Sequence, residues 1–398
     1  MRSGGEKSEP AIYVERPGEW EAETGHKIKL EPIPGGKDYN PKILSLAVSN
    51  TLGDVLFTGD TMSEHTHLVR NNVIEPVDTY IDKSGIKKTD WLKPIIDQLT
   101  HNGKMYGLPK TGHPGEPFIW VNLTMFDKAG IKRPSVTGTT FEDLKTWANA
   151  FSTGAKDKRD VYGYYSSVRG AQGITTGVRM RGSDVVSADG KTSPADSDAW
   201  YQWIEWNYKL IVEDAVHPLT VKDAGAELPA MFEAGKLAMF HGARFLHFLT
   251  KTQVKNKFDW MVIQYPKPAN NAGYLTAVDT HSGTQVSKFK DESFSLIAAM
   301  SDKRFAYLVG KTQGYLTGRI DALESLKEVA EDPFIKLQYD CGKDQRPMWR
   351  CENLRAYEIE AEINSRVEEI TLGKRKLDKP AMQDMKKALD AILAKPVL

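Results

Sequence analysis

KIKLEPIPGGKDYNPKILSLAVSNTLGDVLFTGD, residues 27–60, carries the fold class of this chain. Lys27–Pro32 alternates polar and apolar residues, the period of a half-buried strand. Tyr39–Ser49 places Ile43, Leu44, Leu46 and Ala47 at helical spacing. Asp54–Phe57 (DVLF) is a short buried-strand candidate that ends in the turn Thr58-Gly59-Asp60. Strand, helix and strand in succession predict an α/β layer architecture rather than all-α or all-β. Similar units recur at Phe118–Val121, Val161–Tyr165, Lys236–His241, Trp260–Ile263 and Thr284–Ser287. From Pro333 onward the pattern turns helical. Leu354, Tyr357, Ile359 and Ile363 share one side of a charged helix, and Met382, Met385, Leu389 and Ile392 repeat every three or four residues after Pro380.

At 398 residues the chain predicts two or three domains, and 40% apolar residues exclude wholesale disorder. Lysine plus arginine and aspartate plus glutamate number 53 each, so no basic excess points to nucleic acid. The longest apolar stretches, such as Phe294–Met300, are too short to span a bilayer. Two cysteines make neither a Cys-based zinc site nor a disulfide scaffold. Cys341 and Cys351 flank Gly342 and Pro347 and are a possible disulfide in an oxidising compartment. Neither repeats nor a low-complexity linker appear, which predicts domains joined by several chain passages.

The familiar catalytic signatures are missing: no GxxxxGK[ST] loop, no GxSxG turn and no HExxH helix. Gly170-Ala171-Gln172-Gly173 is too short for a dinucleotide fingerprint. Glu64-His65-Thr66-His67 is the best metal candidate, but residues two apart on a helix point away from one another, and a solvated helix start is the better reading. Trp200, Trp203 and Trp206 fit a helix packed on its sheet. Tyr162-Gly163-Tyr164-Tyr165 ends a strand candidate, the place where open α/β sheets bind ligands. Phe245 and Trp349 sit at similar breaks, and exposed rings of this kind stack on the apolar faces of sugars. Met1–Pro10 (MRSGGEKSEP) is polar and lacks the apolar core of a signal peptide, which leaves two readings: a cytoplasmic protein, or a chain that begins after an export signal.

Seven segments in this order resemble the extracellular solute-binding proteins of ABC importers, specifically the sugar-binding, maltose-binding-like family. They are EWEAETGHKIKLEPIPGG (19–36), LGDVLFTGD (52–60), NNVIEPVDTYI (71–81), NGKMYGLPKTGHPGEPFIWVNLTMFDKAGIKRP (102–134), FEAGKLAMFHGARF (232–245), GTQVSKFKDESFSLIAAMS (283–301) and TQGYLTGR (312–319). The resemblance implies a two-lobed periplasmic-binding-protein-like α/β fold of type II, with lobes joined by multiple crossover segments and C-terminal helices on the second. One lobe would comprise residues 1–117 and 279–316, the other 118–278 and 317–398, with crossings near Phe118–Val121, Leu275–Asp279 and Tyr315–Arg319. It implies a monomeric, non-catalytic, exported protein of the periplasm or cell surface. That protein would need no cofactor or metal, would leave nucleic acid alone, and would deliver a carbohydrate, an oligosaccharide in particular, to the permease subunits of an ABC transporter.

Carried over position by position, the resemblance places Thr58, Asp60, Glu116, Tyr165, Ser166, Arg169, His241, Arg244, Asp279, His281 and Trp349 at the ligand cleft. Asp279 and His281 are expected just before the return strand. The family often has Trp where this chain has Arg244, which removes one stacking platform. The largest departure is at the start: only Ala11–Val14 resembles the family's first strand, and Arg16–Gly25 leaves a helical stub broken by Pro17-Gly18. The expectation is that the protein extends upstream, with an export signal and a first strand. Two other readings stand beside this one: an enzyme on a related two-lobed fold using Asp60 and Asp279, or the same fold holding a peptide, polyamine or metal chelate.

Overall fold

The computed structural model describes residues 9–31, 33, 39–59, 62–168, 170–218, 224–314, 316–323 and 331–397. Two sheets organise it. In the first, β1 (Val55–Thr58) and β4 (Leu108–Pro114) both pair antiparallel with the long β10 (Tyr274–Gly283), and β11 (Gln345–Arg346) adds a parallel pairing at the start of β10. In the second, β5 (Phe118–Asn122) lies between β8 (Met239–Gly242) and β9 (Trp260–Gln264), antiparallel to both. Two small hairpins, β2 (Thr100–His101) with β3 (Lys104–Met105) and β6 (Thr153–Ala155) with β7 (Lys158–Val161), stand apart. The chain leaves the first sheet at the end of β4 and, after three intervening residues, enters the second at β5, then returns between β9 and β10.

Each sheet builds its own core. On β5 all five residues are buried, as a strand covered on both faces requires. Trp120 pairs in register with Phe240 on β8, and their rings stack at 4.9 Å. A separate helical core joins Gly170–Arg179, Asp198–Tyr208, Ala356–Thr371 and Lys379–Leu393, with Trp200 and Trp203 buried inside it. Trp200 and Trp203 therefore pack among helices, while Trp206 packs against the core of the second sheet, its ring edge-on to Phe141 at 5.3 Å. In the C-terminal helices Ile359, Ile363, Met382, Met385 and Leu389 are buried as their spacing predicts, but Tyr357 is exposed and Leu354 lies outside the helix at φ 54°.

Several local expectations are corrected. Residues 27–31 pair with no strand among the described residues; they line a 540 Å³ groove with Trp20, Leu46, Val55 and Phe289. Alternation supplies a strand-like surface, but a ladder also needs a neighbour. Ala11–Val14 belongs to a single helix, Glu9–Thr24, that runs through Pro17. Trp20 locks this helix onto Phe305 and Met300 and donates its Nε1 proton to Ser295 Oγ at 3.0 Å, while Arg16 reaches Asp302 at 2.9 Å. The return strand is Tyr274–Gly283 rather than Thr284–Ser287, so Asp279 and His281 lie inside it. Since β10 already faces β4 from Thr276, the passage between sheets precedes the expected Leu275–Asp279. Val161 closes the β6–β7 hairpin, and Tyr162 and Tyr165 then bridge singly, in parallel, to Leu237 and Phe240. Tyr315, in the third expected crossing, lies outside the described residues.

A Cβ at Gly163 would run into the backbone carbonyl of Ala148, which is part of the Phe141–Phe151 helix and cannot swing aside. Gly163→Ala is expected to lower stability by about 1–3 kcal/mol, read as a drop in the urea midpoint; an unchanged midpoint would mean this helix is not seated on the strand.

Candidate functional site

The junction between the sheets is built from β4, β10 and the residue that precedes the Phe245–Val254 helix. Antiparallel register sets Asp279 opposite Thr111, so their side chains emerge on one face. Thr111 Oγ1 donates to Asp279 Oδ2 at 3.0 Å. Arg244, which follows β8 in the second sheet, reaches across with Nη2 to Thr111 Oγ1 at 2.9 Å and to Asp279 Oδ2 at 3.2 Å. Arg244 and Thr111 are buried. Burial alone would raise the Asp279 pKa, but Lys110, Arg244 and the Thr111 hydroxyl outweigh it and hold the carboxyl below its ordinary range.

A second cluster adjoins the β4–β5 passage. Glu116 sits there at φ 49°, a left-handed backbone conformation that aims its carbonyl at His241. His241 Nε2 donates to that carbonyl at 2.7 Å, and His241 Nδ1 accepts the Ser167 N–H at 3.3 Å. These partners demand a neutral ring, and burial agrees, pulling the pKa down to about 4. Tyr265 stacks on His241 at 4.1 Å. Tyr165 stacks on His217 at 4.8 Å, and His217 Nε2 donates to the Ser166 carbonyl at 3.0 Å.

Thus Glu116 joins His241, Arg244 joins Asp279, and Tyr165 with Ser166 shares His217. Thr58 and His281 are fully buried in the first sheet, where Thr58 faces Thr280 and His281 faces Phe57. Trp349 stands apart, buried in the helical core with Nε1 donating to Thr175 Oγ1 at 3.0 Å. Its place is the helical core rather than an exposed stacking platform. Asp60 and Arg169 lie outside the described residues. Thr111, His217 and Tyr265 were missed: each is an ordinary strand or loop residue in sequence, and only pairing reveals its neighbour.

Two further expectations are corrected. Cys341 and Cys351 are unbonded thiols in different cores, the first around β5 and β9 and the second among the C-terminal helices. Burial pushes them up to about 12 and about 11. His65 is not on a solvated helix start; it is buried within the Met62–Arg70 helix and bonded to His101 at 3.0 Å. Its neighbour His67 packs instead against Tyr357, the rings tilted at 36° with centroids 5.0 Å apart. Among the described residues no group of three potential ligands could hold a metal ion.

Neutral buried histidines make stability depend on pH with a definite sign. Burial holds His65, His241 and His247 to about 4 and His281 to about 3. In the unfolded chain they titrate near 6.5. Between those values the unfolded state binds more protons, so stability rises with pH there. The urea midpoint is expected to be flat above pH ~6.5 and to fall steadily toward pH ~4. A midpoint constant across that window would mean these rings are not buried.

Three comparisons bear on what such a junction is. Residues 5–304 match the family model described as bacterial extracellular solute-binding protein. The fold is similar to the GacH receptor of Streptomyces glaucescens, solved unliganded and with acarbose, at TM-score 0.81 and 18% identity over 98% of this chain and 96% of that one. It is also similar to the substrate-binding protein Lmo0181 of Listeria monocytogenes in complex with cycloalternan (TM-score 0.79, 16% identity, 97% and 96% covered). UgpB of Mycobacterium tuberculosis, in complex with glycerophosphocholine, aligns as well (TM-score 0.79, 17% identity, 97% of each chain). No curated protein matches the sequence. Two α/β lobes meeting at a buried polar seam, under a family match that spans most of the residues, identify the chain: it belongs to the bacterial extracellular solute-binding protein family.

Proposed function

We propose that the protein captures a carbohydrate, an oligosaccharide in particular, outside the cytoplasm and delivers it unaltered to the permease subunits of an ABC importer. It acts as a monomer with one lobe of residues 1–117 and 279–316 and another of 118–278 and 317–398, joined by several chain passages. The relatives bound to acarbose and to cycloalternan support this ligand class.

One observation carries it. Around the seam, buried polar atoms of Thr58 (Oγ1), His113 (Nε2), Gln172 (Oε1) and Thr276 (Oγ1) have no protein partner among the described residues. Hydroxyl groups, which donate and accept at once, match such a mixed set better than a purely cationic or purely apolar solute. In this reading Asp60, Glu116, Arg169, Arg244 and Asp279 bond hydroxyls, Thr58, Ser166, His241 and His281 complete the polar wall, and Tyr165 supplies the stacking ring, with Trp349 behind it. No helix of the described residues is long and apolar enough to cross a membrane.

A solute touching both lobes favours their closed arrangement. The Met62–Arg70 and Ala356–Thr371 helices meet across the lobes, where Arg70 Nη1 donates to Glu358 Oε1 at 2.8 Å. Burial would raise the Glu358 carboxyl, but Lys395 and Arg355 hold it at about 2, so it stays charged. Isothermal titration against a panel of mono- and oligosaccharides is expected to give saturable binding to at least one member, with the sugar recovered unchanged; no binding to any refutes the carbohydrate assignment. With that ligand, Glu358→Gln is expected to weaken affinity about 2–5-fold, the worth of a part-exposed ion pair, through faster dissociation.

A further inference from the structure

A second space lies between the lobes, away from the Arg244–Asp279 pair. It measures about 460 Å³. One wall is the β2–β3 hairpin, with Thr100, His101 and Asn102, joined by Thr66. The opposite wall runs from Pro347 to Cys351, with Arg179 beneath it. The Met348 N–H, donating to Gln98 Oε1 at 2.8 Å, ties the two walls together. None of the residues given the ligand above, apart from Trp349, lines this space.

The walls hold specific chemistry. Arg179 is already engaged, by Asp184 at 2.7 Å and by the carbonyls of Arg346 and Pro347. Arg350 is not: among the described residues its guanidinium has neither an ion pair nor a hydrogen bond. The surrounding protein pulls its pKa down, with only Asp97 acting the other way. Arg350 is exposed at the edge of the space, so its guanidinium is held by water rather than by protein and is free to meet an anion there.

His101 adds a directional group. His65 Nε2 faces the Tyr106 carbonyl at 2.7 Å and must carry the proton there. His65 Nδ1 is then an acceptor, so His101 Nε2, at 3.0 Å, must donate to it. Tautomer logic leaves His101 Nδ1 as a lone-pair acceptor with no protein partner among the described residues. A carboxylate has no proton to offer that nitrogen at neutral pH; a hydroxyl has. The acids around the space limit the charge it accepts. Asp184 is paired with Arg179, Asp189 accepts from Ser187 Oγ and the Lys191 N–H, and Glu352 is exposed at the rim. One anionic group near Arg350 is balanced; two or three would meet these carboxylates.

We propose that this cavity is a second binding site, for a monoanionic hydroxycarboxylate of sugar-acid size, whose carboxylate pairs with Arg350 and whose hydroxyl donates to His101 Nδ1. The Asn102 amide and the indole edge of Trp349 border the rest of the solute. Because both lobes supply walls, occupancy is coupled to their relative position, and by linkage to binding at the Arg244–Asp279 seam.

The test is calorimetric titration of the full chain with sodium gluconate at constant ionic strength. Sorbitol, which lacks the charge, hexanoate, which lacks the hydroxyls, and citrate, which carries excess charge, serve as controls. Saturable gluconate binding is expected, with the three controls at least about tenfold weaker, as loss of one charge-assisted hydrogen bond implies. Arg350→Gln is expected to lose gluconate binding by the same factor while keeping the wild-type melting midpoint, and Arg350→Lys to recover part of it. His101→Phe is expected to erase the preference of gluconate over hexanoate. No gluconate binding by the wild type overturns the proposal, as does equal affinity in Arg350→Gln, which would locate gluconate elsewhere, at the Arg244–Asp279 seam included. None of these outcomes depends on whether the seam holds a carbohydrate, since the sugar panel tests that separately.

Discussion

Among the described residues the two sheets share no ladder, and at the seam the buried contact of Arg244 with Asp279 and Thr111 ties them together. Taking both ions out of water costs several kcal/mol each, and the attraction between them offsets this only when geometry is good and the remaining polar atoms are bonded. Thr111 meets that condition by donating to Asp279 while accepting from Arg244. The contact therefore exists only in one relative placement of β4, β10 and the start of the Phe245–Val254 helix. Such an interaction contributes less to total stability than to selecting one arrangement of the lobes. Arg244 also gains nothing from the helix it precedes, since a cation at a helix N-terminus is disfavoured. Asp279 is what holds it.

Around that pair, with Lys110 as the other cation, the protein keeps its histidines uncharged. His113, His241 and His281 are all pulled down by burial, and the bonding of His241 allows only the neutral ring. A seam rich in polar atoms but poor in net charge presents many donors and acceptors without a dominant field. That combination suits a neutral polyhydroxylated solute and is costly for a dense ion. The Arg70–Glu358 ion pair lies outside this seam, on part-exposed side chains.

The legible parts of the sequence were those whose signal is local. DVLF reads as a buried strand because three consecutive apolar residues between turns have few alternatives, and β1 occupies Val55–Thr58. The helical spacing of Tyr39–Ser49 and of the C-terminal segments survived because a helix satisfies its own backbone bonds. Residues 27–31 had the right period and formed no ladder among the described residues, since a strand borrows half its hydrogen bonds from elsewhere. The boundary of β10 slipped for a related reason: Tyr274–Gly283 is held by three partners, none adjacent in sequence. The cysteines were misjudged because ten residues of separation say nothing about which core each joins, and theirs differ.

By itself the sequence determined the α/β class and the repeated passage between two bodies, because periodicity and the order of motifs are properties of the chain read in one dimension. Only the tertiary structure decided which residues meet. Asp279 finds Thr111 through antiparallel register, Arg244 finds both from the other sheet, and Trp349 turns into a helical core instead. The physical reason is that pairing, burial and tautomer state are set by atoms far away along the chain, and no local pattern encodes their distance.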